Sequence, residues 1–459
     1  MFKQPESLSQ LSNPSIGMTV LELAWAAAMN SALAPRRALQ YDHSSMLFHS
    51  PVFYDQIPIT SSALDLDDNW IAASFKSSVL GEAKYSASKG LTCPALETQS
   101  KEYVNEFIIH SFLETCEAHC VYSGLLDTVI QDKTLDLSQK VLSLLSHEVI
   151  GNKENRKYLK SEDLRAKIET AYERKVPLLF IVPSFPFKDA NPFRTSAPPS
   201  HVDFGEVALL IRLHSLGLAL AQIYPYGVEW IIVSDGVVYA PIFDVDTNEA
   251  TRYIKRIREY RNHLNLQNTI HILEMQQMVQ RLDGFSQVYE RIKERLQFLA
   301  SESSLEDTLR TLIRGMRWNI NTTQFRDSYS LQAIWDGLNA QEPANDPASR
   351  EVFHLINEKS RKTAIEYASF NLTMKNLSVL ETFFPSAIRA TVHAKPGQVA
   401  IPRVGEVYPW NGVAFLESGP IAPPSVHSLP LHKILFKANV RPYFLYHGDF
   451  PFFFSVEQK

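Results

Sequence analysis

The chain has 459 residues, with 45 basic and 50 acidic side chains, a formal net charge of −5 and 45% hydrophobic residues. At roughly 100–200 residues per domain, this length suits two or three domains, or one large domain with an extension, and it can bury a core without disulfide or metal staples. The near-balanced charge leaves no electrostatic footprint for DNA, RNA or an anionic membrane, and the three cysteines (Cys93, Cys116, Cys120) are too sparse for a secreted disulfide framework and suit a reducing cytoplasm.

No run approaches the roughly 18 apolar residues of a membrane helix. The nearest candidate for a leader, Thr19 to Ala34, is interrupted by Glu22 and Asn30, so no signal peptide is expected. Residues 1 to 100 are rich in Ser, Pro and Ala and read as an extension, partly helical around Thr19–Leu33. Helical spacing runs from Glu102 to Leu126 and from Leu135 to Val149.

The middle of the chain alternates between two periods. Pro177–Pro183 is a short continuous apolar run, the pattern of a strand buried on both faces. A polar, proline-broken loop follows, Ser184 to Ser200. Asp203 and Glu206 then have capping-box spacing before a helix with Val207, Leu210, Ile211, His214 and Leu218 on one face. Val228–Val233 predicts a second strand ending in the turn Ser234-Asp235-Gly236, and Val237–Phe243 a third. Asp246 and Glu249 repeat the capping spacing before a helix that turns Tyr253, Ile254, Ile257 and Tyr260 inward, and Thr269–Leu273 predicts a further strand. Such alternation implies βαβ units: an α/β, Rossmann-like fold with a mostly parallel sheet flanked by helices. Residues 275–320 and 350–380 are helical, Gln341–Ser349 and the proline-rich Glu417–Pro430 are loops, and the tail from Ile388 is β-like. The expected organisation is an N-terminal extension over 1–135 and an α/β domain over 136–459.

Chemistry-bearing motifs are few. No GxGxxG follows a strand, and no Walker loop, HExxH, paired CxxC or GxSxG elbow is present. Cys116, His119 and Cys120 share one side of a helix without a second ligand pair nearby in sequence, so ordinary packing is the reading and no metal is expected. In parallel sheets ligands sit at the C-terminal strand ends, which directs attention to the Ser184–Ser200 loop and the Asp235 turn. Lys188 and Arg194 are either solvated loop charges or ligands for a phosphate or carboxylate. Asp203 and Glu206 either simply cap their helix or face the ligand cleft, where they would hold an ammonium and relay its protons, and the two readings are compatible. His201 at the same corner is a surface histidine, a substrate contact or an acid/base. Asp235 is a turn residue or a carboxylate projecting from a strand end. In Ile388–His393, alternation places Ile388, Ala390 and Val392 on one face and Arg389, Thr391 and His393 on the other.

Taken in order, several pieces resemble the pyoverdine/dityrosine biosynthesis family, whose bacterial members include isocyanide synthases. They are Pro183-Ser-Phe-Pro-Phe-Lys188 with Asn191-Pro192; Asp203-Phe-Gly-Glu206 with Leu209 to Leu213; Tyr224-Pro-Tyr-Gly227; Ser234-Asp-Gly236; Ile388-Arg389 with Val392-His393; Pro409-Trp-Asn-Gly-Val413; and Arg441-Pro-Tyr443. The resemblance spans roughly residues 140–450, and residues 1 to 135 have no counterpart. Where the family has His after Pro-Trp this chain has Asn411, leaving His393 to replace that function.

The resemblance implies condensation of an L-amino acid, often tyrosine or tryptophan, with the ketone of ribulose 5-phosphate. The resulting imine fragments to an isonitrile, without metal or nucleotide cofactor. It implies Lys188 and Arg194 on the sugar phosphate, Asp203 and Glu206 on the amine, Asp235 and His393 in later acid/base steps, and Arg389 on a carboxylate or phosphate. It also implies a cytoplasmic enzyme, with an iron- and 2-oxoglutarate-dependent oxygenase acting next. The alternatives are an enzyme forming N-formyltyrosine and a non-catalytic α/β ligand-binding protein.

Overall fold

The computed structural model describes residues 57–58, 67–82, 126–146, 161–188, 191, 198–263, 266–301, 305–343, 345–391, 394–401, 413–417, 425–428, 440–443 and 453–457. The helix expected at Thr19–Leu33, the three cysteines, Arg194, His393 and Asn411 lie outside these residues. Strand β1 (Ile57–Pro58) and helices α1 (Asp68–Glu82), α2 (Leu137–Leu145) and α3 (Glu162–Glu173) come first. Helix α2 starts on a reciprocal capping box, in which the Asp136 carboxylate accepts from Gln139 N at 2.8 Å and the Gln139 side chain accepts from Asp136 N at 2.9 Å.

The alternating part then unfolds as β2 (Leu178–Pro183), α4 (Phe204–Ala221), β3 (Val228–Ser234), α5 (Gly236–Tyr239), α6 (Thr247–His263) and β4 (Ile270–Glu274). A helical run follows: α7 (Met275–Val279), the short β5 (Leu282–Asp283), α8 (Phe285–Ser301), α9 (Glu306–Met316), α10 (Leu331–Asn339), α11 (Pro347–Asn376) and α12 (Val379–Phe383). The chain closes with β6 (Ile388–Thr391), β7 (Val399–Ala400), β8 (Val413–Glu417), β9 (Ser425–Ser428), β10 (Val440–Tyr443) and β11 (Phe453–Glu457).

Five strands pair in the order β4-β3-β2-β6-β7, every neighbouring pair parallel. This is the α/β layer that the alternation predicts. All seven residues of β3 are buried, as a strand covered on both faces requires. Phe180 of β2 lies in register with Trp230 of β3, and their rings stack with centroids 4.5 Å apart. Helix α4 packs on β3 and β4. Its His214 meets the Thr269 hydroxyl beside β4, and burial drives the imidazole down to about 4, so it packs as a neutral ring. A separate four-stranded sheet, β10-β11-β8-β9, makes up the C-terminal β part.

The 30-residue α11 is the spine of the helical layer, with α1, α8, α9 and α10 against it. Its start follows the helix rules: Asp346 caps by accepting from Ser349 N at 2.8 Å, and Pro347 occupies the first turn. Helix α1 was not anticipated. Its Ile71 and Phe75 are fully buried in the core shared with the sheet, Arg295 grips Asp68 through two nitrogens, and Lys375 donates to Ser74 at 2.9 Å.

Two expectations are corrected. Val237–Phe243 is not a strand but helix α5 followed by turns. The buried residues there, Tyr239, Ala240, Ile242 and Phe243, do not alternate, and Tyr239 and Phe243 pack on Tyr367 of α11. Tertiary packing overrides the β-branched propensity of Val237 and Val238. Glu417–Pro430 is not wholly a loop, because Ser425–Ser428 forms β9, antiparallel to Val413–Leu416.

The turn after β3 requires glycine. A Cβ on Gly236 would stand 1.7 Å from the Pro186 carbonyl oxygen, since the chain leaving β2 crosses directly over the start of α5. Gly236→Ala is expected to force that crossing apart and to cost at least about 2 kcal/mol, the upper part of the range for overpacked sites. Urea unfolding of the variant against wild type measures this.

Candidate active site

β2 is the middle strand of the five, with β3 and β4 on one side and β6 and β7 on the other. The strand order therefore reverses between β2 and β6, and the crevice beyond their C-terminal ends is where open α/β sheets bind ligands. The loop leaving β2 is pinned there. Phe185 takes a left-handed conformation (φ 64°) and its carbonyl accepts the Ser234 hydroxyl at 2.9 Å. Lys188 N donates to the Pro199 carbonyl at 2.9 Å, and the buried Asn191 amide donates to the Trp318 carbonyl at 3.0 Å. Ser200 is held from α6, through its N–H by Glu249 and through its carbonyl by Arg256. A left-handed non-glycine residue is costly and is kept only where its surroundings fix it, a common circumstance at binding sites.

Inside the loop lies a buried ionic cluster. The Lys188 ammonium, 0% exposed, is 2.6 Å from Glu206 Oε1 and 2.9 Å from Asp203 Oδ1. The capping box anticipated for α4 is present as well: Asp203 Oδ1 accepts from Gly205 N at 2.8 Å, and Glu206 Oε2 accepts from Asp203 N at 2.9 Å. Tyr253, from α6, donates its hydroxyl to Glu206 Oε1 at 2.9 Å. Burial pushes the Glu206 carboxyl well above the usual carboxylate range, with Lys188 pulling the other way. Burial and then the Glu206 charge push the Tyr253 phenol up, so it stays a hydrogen-bond donor.

One strand over, Asp235 stands at the tip of β3, buried, with carboxylate oxygen Oδ1 lacking any hydrogen-bond partner among the described residues. Burial raises this carboxyl to about 7, and the charge of Arg389 eases the rise. The Asp235 charge also acts on Tyr253, so the two groups occupy one electrostatic neighbourhood. Arg389 is exposed on β6 while Ile388 and Ala390 are buried, which is the alternation read from the sequence. At the tip of β2, Ser184 continues the ladder through its N–H to the Val233 carbonyl (3.3 Å), and its buried hydroxyl has no partner among the described residues.

The fold thus gathers Lys188, Asp203, Glu206, Asp235 and Arg389 about the ends of β2, β3 and β6. Lys188 was expected in contact with an anionic ligand; it is enclosed between two protein carboxylates. His201 is half-buried at the loop's end, its N–H donating to the Pro198 carbonyl at 2.9 Å. Tyr253 and Ser184 were not singled out from the sequence. For Tyr253 a signal existed: a tyrosine turned inward on an amphipathic helix must bring its hydroxyl to a polar partner. Ser184 offered none, because a serine after a strand reads as an ordinary loop residue.

The family model described as pyoverdine/dityrosine biosynthesis protein matches residues 168–420. The L-tyrosine isonitrile synthase of Xenorhabdus nematophila is 25% identical over 266 residues, covering 55% of this chain and 72% of that protein. The L-tryptophan isonitrile synthase of Fischerella ambigua is 28% identical over 159 residues, covering 33% of this chain and 47% of that protein, so this chain spans about half the length of that relative. The crystal structure of the PvcA protein from Pseudomonas aeruginosa aligns over 70% of this chain and 100% of its own, with 15% identity and a TM-score of 0.48.

Two stability experiments probe the cluster. Lys188→Met leaves two buried carboxylates without their cation, at an expected cost of about 3–5 kcal/mol. The loss should be greater at pH 8 than at pH 5, because the raised Glu206 carboxyl takes up a proton as pH falls; urea unfolding at both values reads the difference. Asp235 behaves oppositely to a paired carboxylate. Its folded value of about 7 lies above the ordinary 3.8, so the folded state holds a proton that the unfolded state releases, and stability falls as pH rises between them. Asp235→Asn should therefore melt at least about 2 °C above wild type at pH 8, with the gap closing by pH 4.

Proposed function

This chain belongs to the pyoverdine/dityrosine biosynthesis family, and on that premise we propose that it is an isonitrile synthase acting on the amino group of an L-amino acid with an aromatic side chain, tyrosine or tryptophan. Ribulose 5-phosphate is the proposed carbon donor. The observation that carries this reading is the carboxylate of Asp235, buried and with Oδ1 unpaired among the described residues, at the tip of a strand beside the switch point.

The chemistry asked of that group is proton transfer in two directions. An amino acid arrives as an ammonium and must lose a proton before its nitrogen attacks the ketone carbon. The carbinolamine must then gain one, so that its hydroxyl leaves as water and the imine forms. A carboxyl held near 7 suits both, since acid/base catalysis is most effective when the group's pKa lies near the working pH. Cleavage of both carbon–carbon bonds at the former ketone carbon, with C1 leaving as formaldehyde and C3 to C5 leaving, after phosphate release, as a three-carbon hydroxycarbonyl, would keep that carbon on nitrogen as the isonitrile carbon, and an iron- and 2-oxoglutarate-dependent oxygenase is our candidate for the next enzyme.

In this reading Lys188 fixes the Asp203 and Glu206 carboxylates, and Tyr253 steadies Glu206 from the other side. Asp203 and Glu206 shape the field around the amine. Arg389, exposed beside Asp235, takes the carboxylate or the phosphate together with Arg194; His393 serves a later proton step, and His201 lies at the rim.

Incubation with ribulose 5-phosphate and L-tyrosine or L-tryptophan should give the isonitrile, read by mass spectrometry, with the label of [2-13C]ribulose 5-phosphate on nitrogen. An N-formyl product would assign the chain to the formylating chemistry, and no product from any standard amino acid would remove the synthase reading. The kcat/KM of the wild type should rise with pH through about 7, because Asp235 must be ionised to accept a proton. Asp235→Asn should lose that limb and at least about 100-fold in kcat/KM.

A further inference from the structure

Asp235 opens α5, a single turn whose first hydrogen bond runs from Tyr239 N to the Asp235 carbonyl at 3.0 Å. One turn of helix does not hold itself, because a helix nucleus fixes several residues for very few bonds. The sheet secures the near side of this turn, through Ser234 on the Phe185 carbonyl and the Pro186 carbonyl against Gly236. The far side is secured by α11. Asn371 Oδ1 accepts the Tyr239 hydroxyl at 3.0 Å, and the Tyr367 ring lies 5.4 Å from that of Tyr239 and 5.8 Å from that of Phe243. The Thr363 hydroxyl donates to the Ile242 carbonyl at 3.2 Å, and the Lys359 ammonium is 2.6 Å from Asp244 Oδ2. Positions 359, 363, 367 and 371 follow one another at i, i+4 spacing and so form one stripe of the helix. The segment after Asp235 runs antiparallel along that stripe, and Asn371 holds the end nearest Asp235. Asn371 Nδ2 donates to the Tyr367 carbonyl one turn back at 3.1 Å, which turns Oδ1 toward Tyr239. Asparagine is a weak helix former, so the hydroxyl it receives accounts for it better than the helix does.

We propose that Tyr239 and Asn371 are positioning residues of the site: their hydrogen bond holds the α5 turn, and through it the Asp235 carboxylate, where it meets the substrate amine. The inference rests on the acid/base reading of Asp235 above and adds two residues to it, neither of which is asked to touch substrate. Asp235 owes its raised value to burial. A turn free to rock would admit water to the carboxylate and let it return toward the ordinary carboxylate range, so the tie to α11 bears on chemistry as well as on place.

Tyr239→Phe keeps the ring and removes the hydroxyl, and Asn371→Leu removes its acceptor. In each variant the rising limb of kcat/KM should move down by about one pH unit or more. The kcat should fall about 10-fold while KM for ribulose 5-phosphate stays within about twofold. Because a single bond is at stake, the double variant should be no worse than either single one. Lys359→Met cuts the far end of the stripe and is the control: it should lower the melting temperature and leave the limb near 7. A lower melting temperature with an unmoved limb in Tyr239→Phe would reduce the bond to upkeep of the fold and overturn the proposal, as would a limb displaced equally by Lys359→Met. A second readout needs no turnover. The thermal stability gained at pH 8 by Asp235→Asn reports how far the carboxylate is shielded from water, and in the Tyr239→Phe background that gain should fall below about half its size in the wild-type background. A gain that persists undiminished overturns the proposal whether or not isonitrile is made. A reduced gain in a protein that makes no isonitrile supports the positioning role and leaves only the synthase reading to fail.

Discussion

An ammonium withdrawn entirely from water must be answered by charge, and Lys188 is answered by Asp203 and Glu206. Isolated, any of the three would be prohibitively costly to bury, so their positions are mutually determined. Lys188 belongs to the loop after β2, Asp203 and Glu206 to the start of α4, and the hydroxyl that completes Glu206 to α6. One buried cluster therefore sets the path of the loop, the entry angle of a helix and the seating of a second helix, and with them the crevice walls at the end of the sheet.

Glu206 illustrates how one side chain serves fold and chemistry together. Its Oε2 closes the capping box, a local bond that stabilises the helix start. Its Oε1 faces inward and receives both Lys188 and Tyr253. A residue so committed shapes the electrostatics of the corner and is poorly placed to take a ligand of its own. Asp235 contrasts with it: also buried, with Oδ1 unpaired among the described residues, and moved toward neutrality by burial. The division between a saturated cluster and an unsaturated neighbour is what gives this end of the sheet chemical potential.

Much of the fold was legible from local pattern. The apolar runs gave β2, β3 and β4 within a residue or two, and both capping spacings marked the starts of α4 and α6, because strand burial and helix capping are written in neighbouring residues. Val237–Phe243 misled because its β-branched residues suit a strand, whereas distant rings on α11 decided its shape. Helix α1 escaped notice because its order comes from α8 and α11, more than 200 positions away. Of the candidate site, the residue types near the C-terminal ends of β2 and β3 were legible. That Lys188 would meet Glu206, 18 residues on, was not legible, since nothing in a loop lysine's sequence reports which charge will face it.

The Asn191 amide bonded to the Trp318 carbonyl joins the loop after β2 to the segment following α9. That segment is in turn tied to the turn after α5 by Asn321 on the Asp244 carbonyl, and to α11 by Lys359, which donates to the Asn321 carbonyl. The loop after β2 is thus moored to the helical layer as well as to its own strand. A deletion or splice confined to residues 317–343, touching neither sheet nor ionic cluster, would still cast off the tie at Trp318 and leave the loop to its bonds with β3, α4 and α6.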